Sequence, residues 1–245
     1  MNIGIIGAGE MGSCLAASFV RLGHKVSLAN SRGPASLKQR AQDIGAEAVN
    51  VETVIKNSKV IVVSIPVKNV PALPTSLFKD LSKDVVVIDT GNYYPSLRDG
   101  VIPALERKGI DSLWVQEQLG VPVVKVFNSI LATSVQDKAR PQDVKERIAL
   151  TVSGDNDEAK KVVFGLVDAL GFDSFDSGSI GRSWMQQPGA PIYCRDLQLE
   201  ELIKRVRIME SGGPDMLDRI LAQRKAHEVL MRTDYAAYLK YLQES

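Results

Sequence analysis

Gly7, Gly9 and Gly12 stand in the spacing G-x-G-x-x-G, within Gly7-Ala8-Gly9-Glu10-Met11-Gly12. Glycines spaced in this way between a strand and a helix make a turn that accepts the pyrophosphate of a dinucleotide. The first permits the tight turn, the second lets the backbone come close to the pyrophosphate, and the third lets the helix pack on the strand. The helix that follows turns its unpaired N–H groups and the positive end of its dipole toward the phosphates. An apolar run over Ile3–Ile6 before the glycines and an apolar stripe at Leu15, Phe19 and Leu22 after them supply the strand and the helix. A glycine-rich turn with no ligand is the plainer alternative.

The end of the next strand, Lys25–Ala29, bears on which dinucleotide is accepted. NAD-selective turns usually place an Asp or Glu here to bind the ribose hydroxyls. This chain has Asn30-Ser31-Arg32-Gly33, and no acidic residue lies between Glu10 and Asp43, whereas Arg32, Lys38 and Arg40 do. A carboxylate would repel a 2′-phosphate, whereas a guanidinium pairs with it and a serine hydroxyl donates to it. The pattern predicts an NADP site, with an ordinary polar turn ahead of a helix begun by Pro34 as the alternative.

Ligands of open parallel sheets bind beyond the carboxyl ends of the strands. Strands predicted over 59–64, 84–89 and 122–127 would bring Ser64, Ile65 and Pro66, then Asn92 and Tyr93, then Asn128 and Ser129 to that edge. These residues are apolar or neutral. His24 and His227 are the only histidines, and His24 sits in a predicted surface turn. Cys14 and Cys194 lie far apart and have no ligand-type neighbours, so neither a disulfide nor a metal centre is expected. With no Ser-His-Asp order visible either, the expected chemistry is hydride transfer set up by positioning, with no side chain acting as an essential general acid or base.

The elements that must position these residues alternate. Helices are predicted over 13–22 and 34–44, the second closed by Gly45, and over 51–56 behind an Asn50 cap. Another is predicted over 101–108. Strands over 147–152 and 172–175 flank a helix that ends at Gly171. The alternation predicts a doubly wound, Rossmann-type α/β fold with a mostly parallel sheet over residues 1–180. Residues 181–245 form the tail, a loop plus C-terminal helices. Its Pro- and Gly-containing stretch 182–193 is a lid or a connector, and helices follow over 196–209 and 215–243. In the last of these, Arg224, Lys225 and Arg232 are expected to be solvated, and its apolar stripe suits packing on its own domain or a homodimer.

At 245 residues, with 44% hydrophobic and 24% charged residues and a formal charge of +1, the chain can bury a large core. Its charge draws it to neither nucleic acid nor membrane. No stretch approaches the roughly 20 apolar residues of a membrane span, and no basic segment precedes the first apolar run, so a cytoplasmic protein is expected.

With these elements in place, the sequence resembles the NADP-dependent oxidoreductases typified by reductases of the deazaflavin coenzyme F420. The cytosolic domain of the STEAP metalloreductases is similar too. The resemblance rests on Gly7–Gly12, Ser31-Arg32, Ser64-Ile65-Pro66, Gly154–Val163 and Asp176-Ser177-Gly178, and so spans roughly residues 1–180. It implies that Ser31 and Arg32 hold the 2′-phosphate and that Ile65-Pro66 touches the nicotinamide half. Val67 stands where the family commonly has an aromatic residue. The turn 89–94 and the tail beyond Arg182 are closer to uncharacterised bacterial members.

Three functions suit these features. The first is hydride transfer between NADP(H) and a flavin- or deazaflavin-like acceptor, such as coenzyme F420. The second is NADPH-dependent reduction of a small carbonyl or imine, which requires a proton donor. The third is an NADP(H)-binding sensor that controls a partner.

Overall fold

The protein is described from a computed structural model, which covers residues 1–244. Its eight strands are β1 (Asn2–Ile6), β2 (Lys25–Ala29), β3 (Glu47–Ala48), β4 (Val60–Val63), β5 (Val86–Asp89), β6 (Val124–Lys125), β7 (Ala149–Ser153) and β8 (Asp173–Gly178). They form one sheet in the order β3-β2-β1-β4-β5-β6-β7-β8. Neighbouring strands pair in parallel, except that β7 runs antiparallel to β6. This is the doubly wound α/β architecture expected from the alternation. The strand order reverses between β1 and β4, where such sheets open a crevice at their carboxyl edge.

The two-residue period of a strand divides the central side chains between two cores. Ile3, Ile5, Val60, Val62, Val86 and Ile88 join one, packed with Leu15 and Phe19 of α1 (Glu10–Arg21) and with Val163 and Val167 of α8 (Asp157–Ala169). Ile6, Ile61, Val63 and Val87 join the other, with Val54 of α3 (Val51–Asn57), Phe78 of α4 (Thr75–Lys79) and Trp114 of α6 (Asp111–Leu119). A sheet covered on both faces needs such near-continuous apolar strands. Asn50 caps α3 by accepting from the Thr53 amide at 2.8 Å, as its position before the helix predicts.

Several expected elements differ. Helix α1 begins at Glu10, directly after the second glycine of the turn. The segment 34–44 splits into a 3₁₀ turn over Pro34–Leu37 and α2 (Lys38–Ile44). Strand β6 has only two residues, because Phe127 takes a left-handed φ of 62° that ends it. Between these lie α5 (Pro103–Lys108) and α7 (Ala132–Asp137). The tail carries α9 (Leu199–Ser211), and the predicted last helix divides into α10 (Met216–Thr233) and α11 (Tyr235–Glu244).

The stretch 182–193 is mostly buried, with only Arg182 and Pro191 exposed. A 3₁₀ turn over Ile180–Gln186 leads into a buried strap, in which Met185, Ile192 and Tyr193 share a third core with Leu202, Val206, Ile220, Tyr238 and Leu242. The apolar stripe of the last helices is therefore largely covered within the chain. Arg224, expected in solvent, is 1% exposed, since α10 turns it inward onto acidic partners. Among the described residues no helix is long and apolar enough to cross a membrane.

Candidate dinucleotide site at the carboxyl edge

Five strand ends converge at this edge. At the end of β1, Gly7 has a φ of +115°, and a Cβ there would lie 2.1 Å from the Ser64 carbonyl oxygen, so the β1 and β4 turns touch. A Cβ on Gly12 would lie 2.0 Å from the Gly7 carbonyl oxygen, which is the close helix-to-strand approach expected of the third glycine. A Cβ on Gly9 would meet no protein atom within 4 Å. Gly9 is also the N-cap of α1 and has no side-chain cap bond, so the positive end of that helix faces open space. Gly9 and Glu10 are exposed, whereas Ala8 and Met11 are half-buried.

After β2, Asn30 folds the turn on itself. Its Oδ1 accepts from the Arg32 amide at 2.9 Å, and its Nδ2 donates to Ser36 Oγ at 3.0 Å. Ser31 and Arg32 are left exposed, and the first acidic side chain downstream is Asp43, at the far end of α2. Arg40, in the first turn of α2, reaches back to donate to the Ala8 carbonyl and lies 3.4 Å from Ser13 Oγ. The Arg40 guanidinium is thus brought to the glycine turn. After β4, Ser64, Ile65 and Pro66 are half-buried, and the Asn69 amide donates to the Pro66 carbonyl at 2.9 Å.

The turn after β5 carries most of what the sequence left unread. Asn92 is half-buried; its amide donates to the Asn128 carbonyl at 2.9 Å and to the Tyr193 hydroxyl at 3.0 Å. Asn128, at the end of β6, is 3% exposed and donates to the Gln186 carbonyl at 2.7 Å, so both asparagines bind the strap. Tyr93 points away from the edge. Its hydroxyl accepts from the Ile102 amide at 2.8 Å and donates to the Gly100 carbonyl at 3.2 Å, and burial pushes it up to about 12. The side chain that stays at the edge is the partly exposed Tyr94, whose hydroxyl lies 2.5 Å from that of Tyr193. Burial holds both phenols well above their ordinary range.

The edge is less uniformly neutral than its outermost residues suggest. Directly behind it, Lys125 and Asp89 form a buried pair at 2.9 Å, and Ser112 donates to the same Asp89 oxygen at 2.8 Å. A cysteine also comes near, because the Cys194 amide donates to the Ser129 carbonyl at 2.9 Å. Its thiol is buried and pushed up to about 12, so it stays protonated and unreactive. Phe127, Cys194 and Asp196 all hold left-handed backbone, so Cys194 makes this contact from that conformation. His24 lies in a surface turn, and His227 is buried against Tyr238 and Tyr241 in the tail.

Residues 2–93, from β1 through the turn after β5, match the family model described as NADP oxidoreductase, coenzyme F420-dependent. The match takes in the first five strands of the sheet. The segments 154–163 and 176–178, which contributed to the resemblance, lie outside the match. Protein YjhV of Escherichia coli (strain K12) is 38% identical over 72 residues, a span of 29% of this chain and 53% of that protein. The chain thus spans about half the length of this curated relative. The solved structure of hypothetical protein SMa0349 from Sinorhizobium meliloti is 28% identical, with a TM-score of 0.65 over 81% of this chain and 95% of that one. A structure from Arthrobacter sp. FB24, whose description proposes an F420-dependent NADP reductase, shares the fold at 23% identity. Its TM-score is 0.60 over 74% of this chain and 86% of that one.

Some of the unread residues left a trace in the sequence. Lysine inside the apolar run Val123-Val124-Lys125-Val126 needs a buried partner, and Asp89 closes the neighbouring strand. Tyr94 and Tyr193 gave no such signal, because about a hundred residues separate them and only the strap brings them together.

Proposed function

We propose that this chain binds NADP(H) across the carboxyl edge and moves a hydride between the nicotinamide and a flat, flavin- or deazaflavin-like acceptor. The observation that carries the reading is the open face of Gly9 beside a β2 end that lacks carboxylates and exposes Ser31 and Arg32, with Arg40 close by. The α1 N-terminus suits the pyrophosphate, and Ser31 with Arg32 suits the 2′-phosphate. The β4 and β5 turns suit the nicotinamide half, where Ile65, Pro66, Gly91 and Asn92 offer an uncharged wall. NADP(H) supplies the hydride; the chain's part is to hold it close and oriented, which by itself lowers a barrier substantially. The family description and that of the Arthrobacter protein support a deazaflavin-type acceptor.

One observation favours reduction of a carbonyl or imine instead. That reaction needs a proton donor beside the new alkoxide or amine, and the candidate is the Tyr94 hydroxyl, which is hydrogen-bonded to the Tyr193 hydroxyl, itself an acceptor from Asn92.

Binding and turnover separate these readings. NADPH is expected to bind far better than NADH, and Arg32→Ala should weaken NADPH by about tenfold or more, the loss of one charge-assisted contact. Equal affinities for the two cofactors in the wild type would sink the NADP reading. NADPH oxidation should then be followed with FMN, coenzyme F420, a quinone, ferric iron, an aldehyde and a cyclic imine. Turnover with a flavin-type acceptor that survives Tyr94→Phe within about tenfold supports hydride transfer without an acid. Turnover with the imine or aldehyde alone, lost in Tyr94→Phe while NADPH still binds, installs the second reading. Tight NADPH binding with no turnover points to a sensor.

A further inference from the structure

The turn 90–99 is held in an unusual way. The amides of Gly91, Tyr93, Tyr94 and Ser96 each donate to a carboxylate: Asp89 Oδ1 at 2.7 Å, Asp111 Oδ2 at 3.1 Å, Asp99 Oδ2 at 2.9 Å and Glu228 Oε2 at 2.6 Å. All four carboxylates are buried. They come from β5, α6, the turn itself and α10. Lys125 pairs with Asp89 at 2.9 Å and Arg98 with Asp99 at 3.0 Å. Arg224 lies 3.7 Å from Glu228 and 4.0 Å from Asp111 without hydrogen-bonding to either, and its guanidinium sits 4.9 Å over the Tyr93 ring.

Turn amides are ordinarily satisfied by water, by backbone or by a local side chain, as Asp89 and Asp99 do here; Asp111 and Glu228 instead reach this turn from other elements. Burying carboxylates is unfavourable unless each is paired and hydrogen-bonded. Such an arrangement is suited to a segment whose side chains must be held within about half an ångström. The side chains this turn presents at the edge are Asn92 and Tyr94, on the nicotinamide side of the switch point. One of the four holders, Glu228, is 132 residues away from Ser96 in sequence and also accepts from its Oγ at 2.5 Å. One helical turn earlier, Arg224 also pairs with Glu106 of α5 at 3.0 Å.

We propose that Glu228 of α10 is a positioning residue for the nicotinamide half of the site, so that the tail sets the wall against which the reacting ring is placed. The proposal rests on the NADP(H) reading. It is tested by comparing NADPH with 2′,5′-ADP, which carries the adenosine half and its 2′-phosphate but no nicotinamide. Glu228→Ala should weaken NADPH by at least about fivefold and leave 2′,5′-ADP within about twofold. Glu228→Gln keeps an acceptor for Ser96 and should recover most of the NADPH affinity. Ser96→Ala, at an exposed position, should shift NADPH in the same direction by less, which covers the case in which Glu228→Ala does not fold.

Unchanged NADPH affinity in Glu228→Ala and Ser96→Ala overturns the proposal and leaves the cofactor reading standing. Equal loss of both ligands in Ser96→Ala also overturns it, since that marks a general loosening. Wild-type protein that binds neither ligand removes the cofactor reading and this proposal together.

Discussion

The glycines at positions 9 and 12 are three residues apart and stand in opposite surroundings. A methyl at Gly9 would project into open space, and its backbone, at φ −73°, is one that any residue can adopt. A methyl at Gly12 would overlap the Gly7 carbonyl oxygen, so α1 would have to lift from β1. Gly9→Val should therefore leave the melting temperature within a few degrees while reducing NADPH affinity by a hundredfold or more, on the order of 3 kcal/mol. Gly12→Ala should be destabilised by about 1–3 kcal/mol, the usual cost of overpacking. That corresponds to a fall of roughly 2–12 °C for a chain of this length. Calorimetry of both variants with and without NADPH checks the pair, and a Gly9→Val protein that binds NADPH normally would remove the phosphate role of the turn.

Among the elements, the strap shows where sequence patterns stop being informative. Strands β1, β2, β4 and β5 and helices α1, α2 and α3 were legible because buried strands alternate with helices closed by Gly45 or capped by Asn50, all of it local, whereas the short β3 and α4 left no such pattern. Helix α6 was not, since its first two residues, Asp111 and Ser112, are polar yet fully buried and bonded, which breaks the apolar rhythm. The glycines and the Ser31-Arg32 turn were legible for the same local reason. Tyr94, Tyr193, Asp99, Asp111 and Glu228 were not, because each acquires its role from a partner on another element. The strap read as a lid or a connector because Pro188, Gly189 and Pro191 suggest a loop, but it is packed as part of a core. Gly189, at φ +94°, lets the backbone lie so close to α10 that a Cβ would sit 2.2 Å from the Ile220 carbonyl oxygen. Gly189→Ala should thus loosen the strap from α10 and cost about 1–3 kcal/mol by denaturant unfolding. Stability equal to the wild type would show that the strap yields without cost.

For the whole molecule, two buried groups make stability respond to pH in opposite directions. Burial raises Asp111 from 3.8 to about 6, against the pull of Lys125 and Arg224. Between those values the folded chain keeps a proton that the unfolded chain has released, so this contribution is full below about 3.8 and lost as pH rises through about 6. Burial, with Arg195 adding to it, lowers His227 from 6.5 to about 4. There the unfolded chain takes the proton first, so the contribution is full above 6.5 and lost as pH falls through about 4. Each shift is worth on the order of 3 kcal/mol, so the two nearly cancel between pH 4 and 6.5. Asp111→Asn should make stability rise with pH across this window relative to the wild type, and His227→Gln should make it fall. Urea unfolding at pH 4.5 and 6.5 measures both, and parallel curves for all three proteins would contradict the assignment.

The bond between Ser96 and Glu228 has a consequence in time as well as in space. A ribosome adds roughly 5–20 residues per second, and domains tend to fold from the N-terminus as they emerge. The family-matched strands are thus available to pair well before α10 is made. With 132 residues between the two partners, synthesis alone separates them by roughly 7–26 s. During that interval the nascent chain can already offer Gly9 and Arg32, whereas the Ser96 amide has no carboxylate to donate to. On the proposed reading, the half of the site that would grip phosphate matures early, and the half that would face the reacting ring is set only when α10 closes over it.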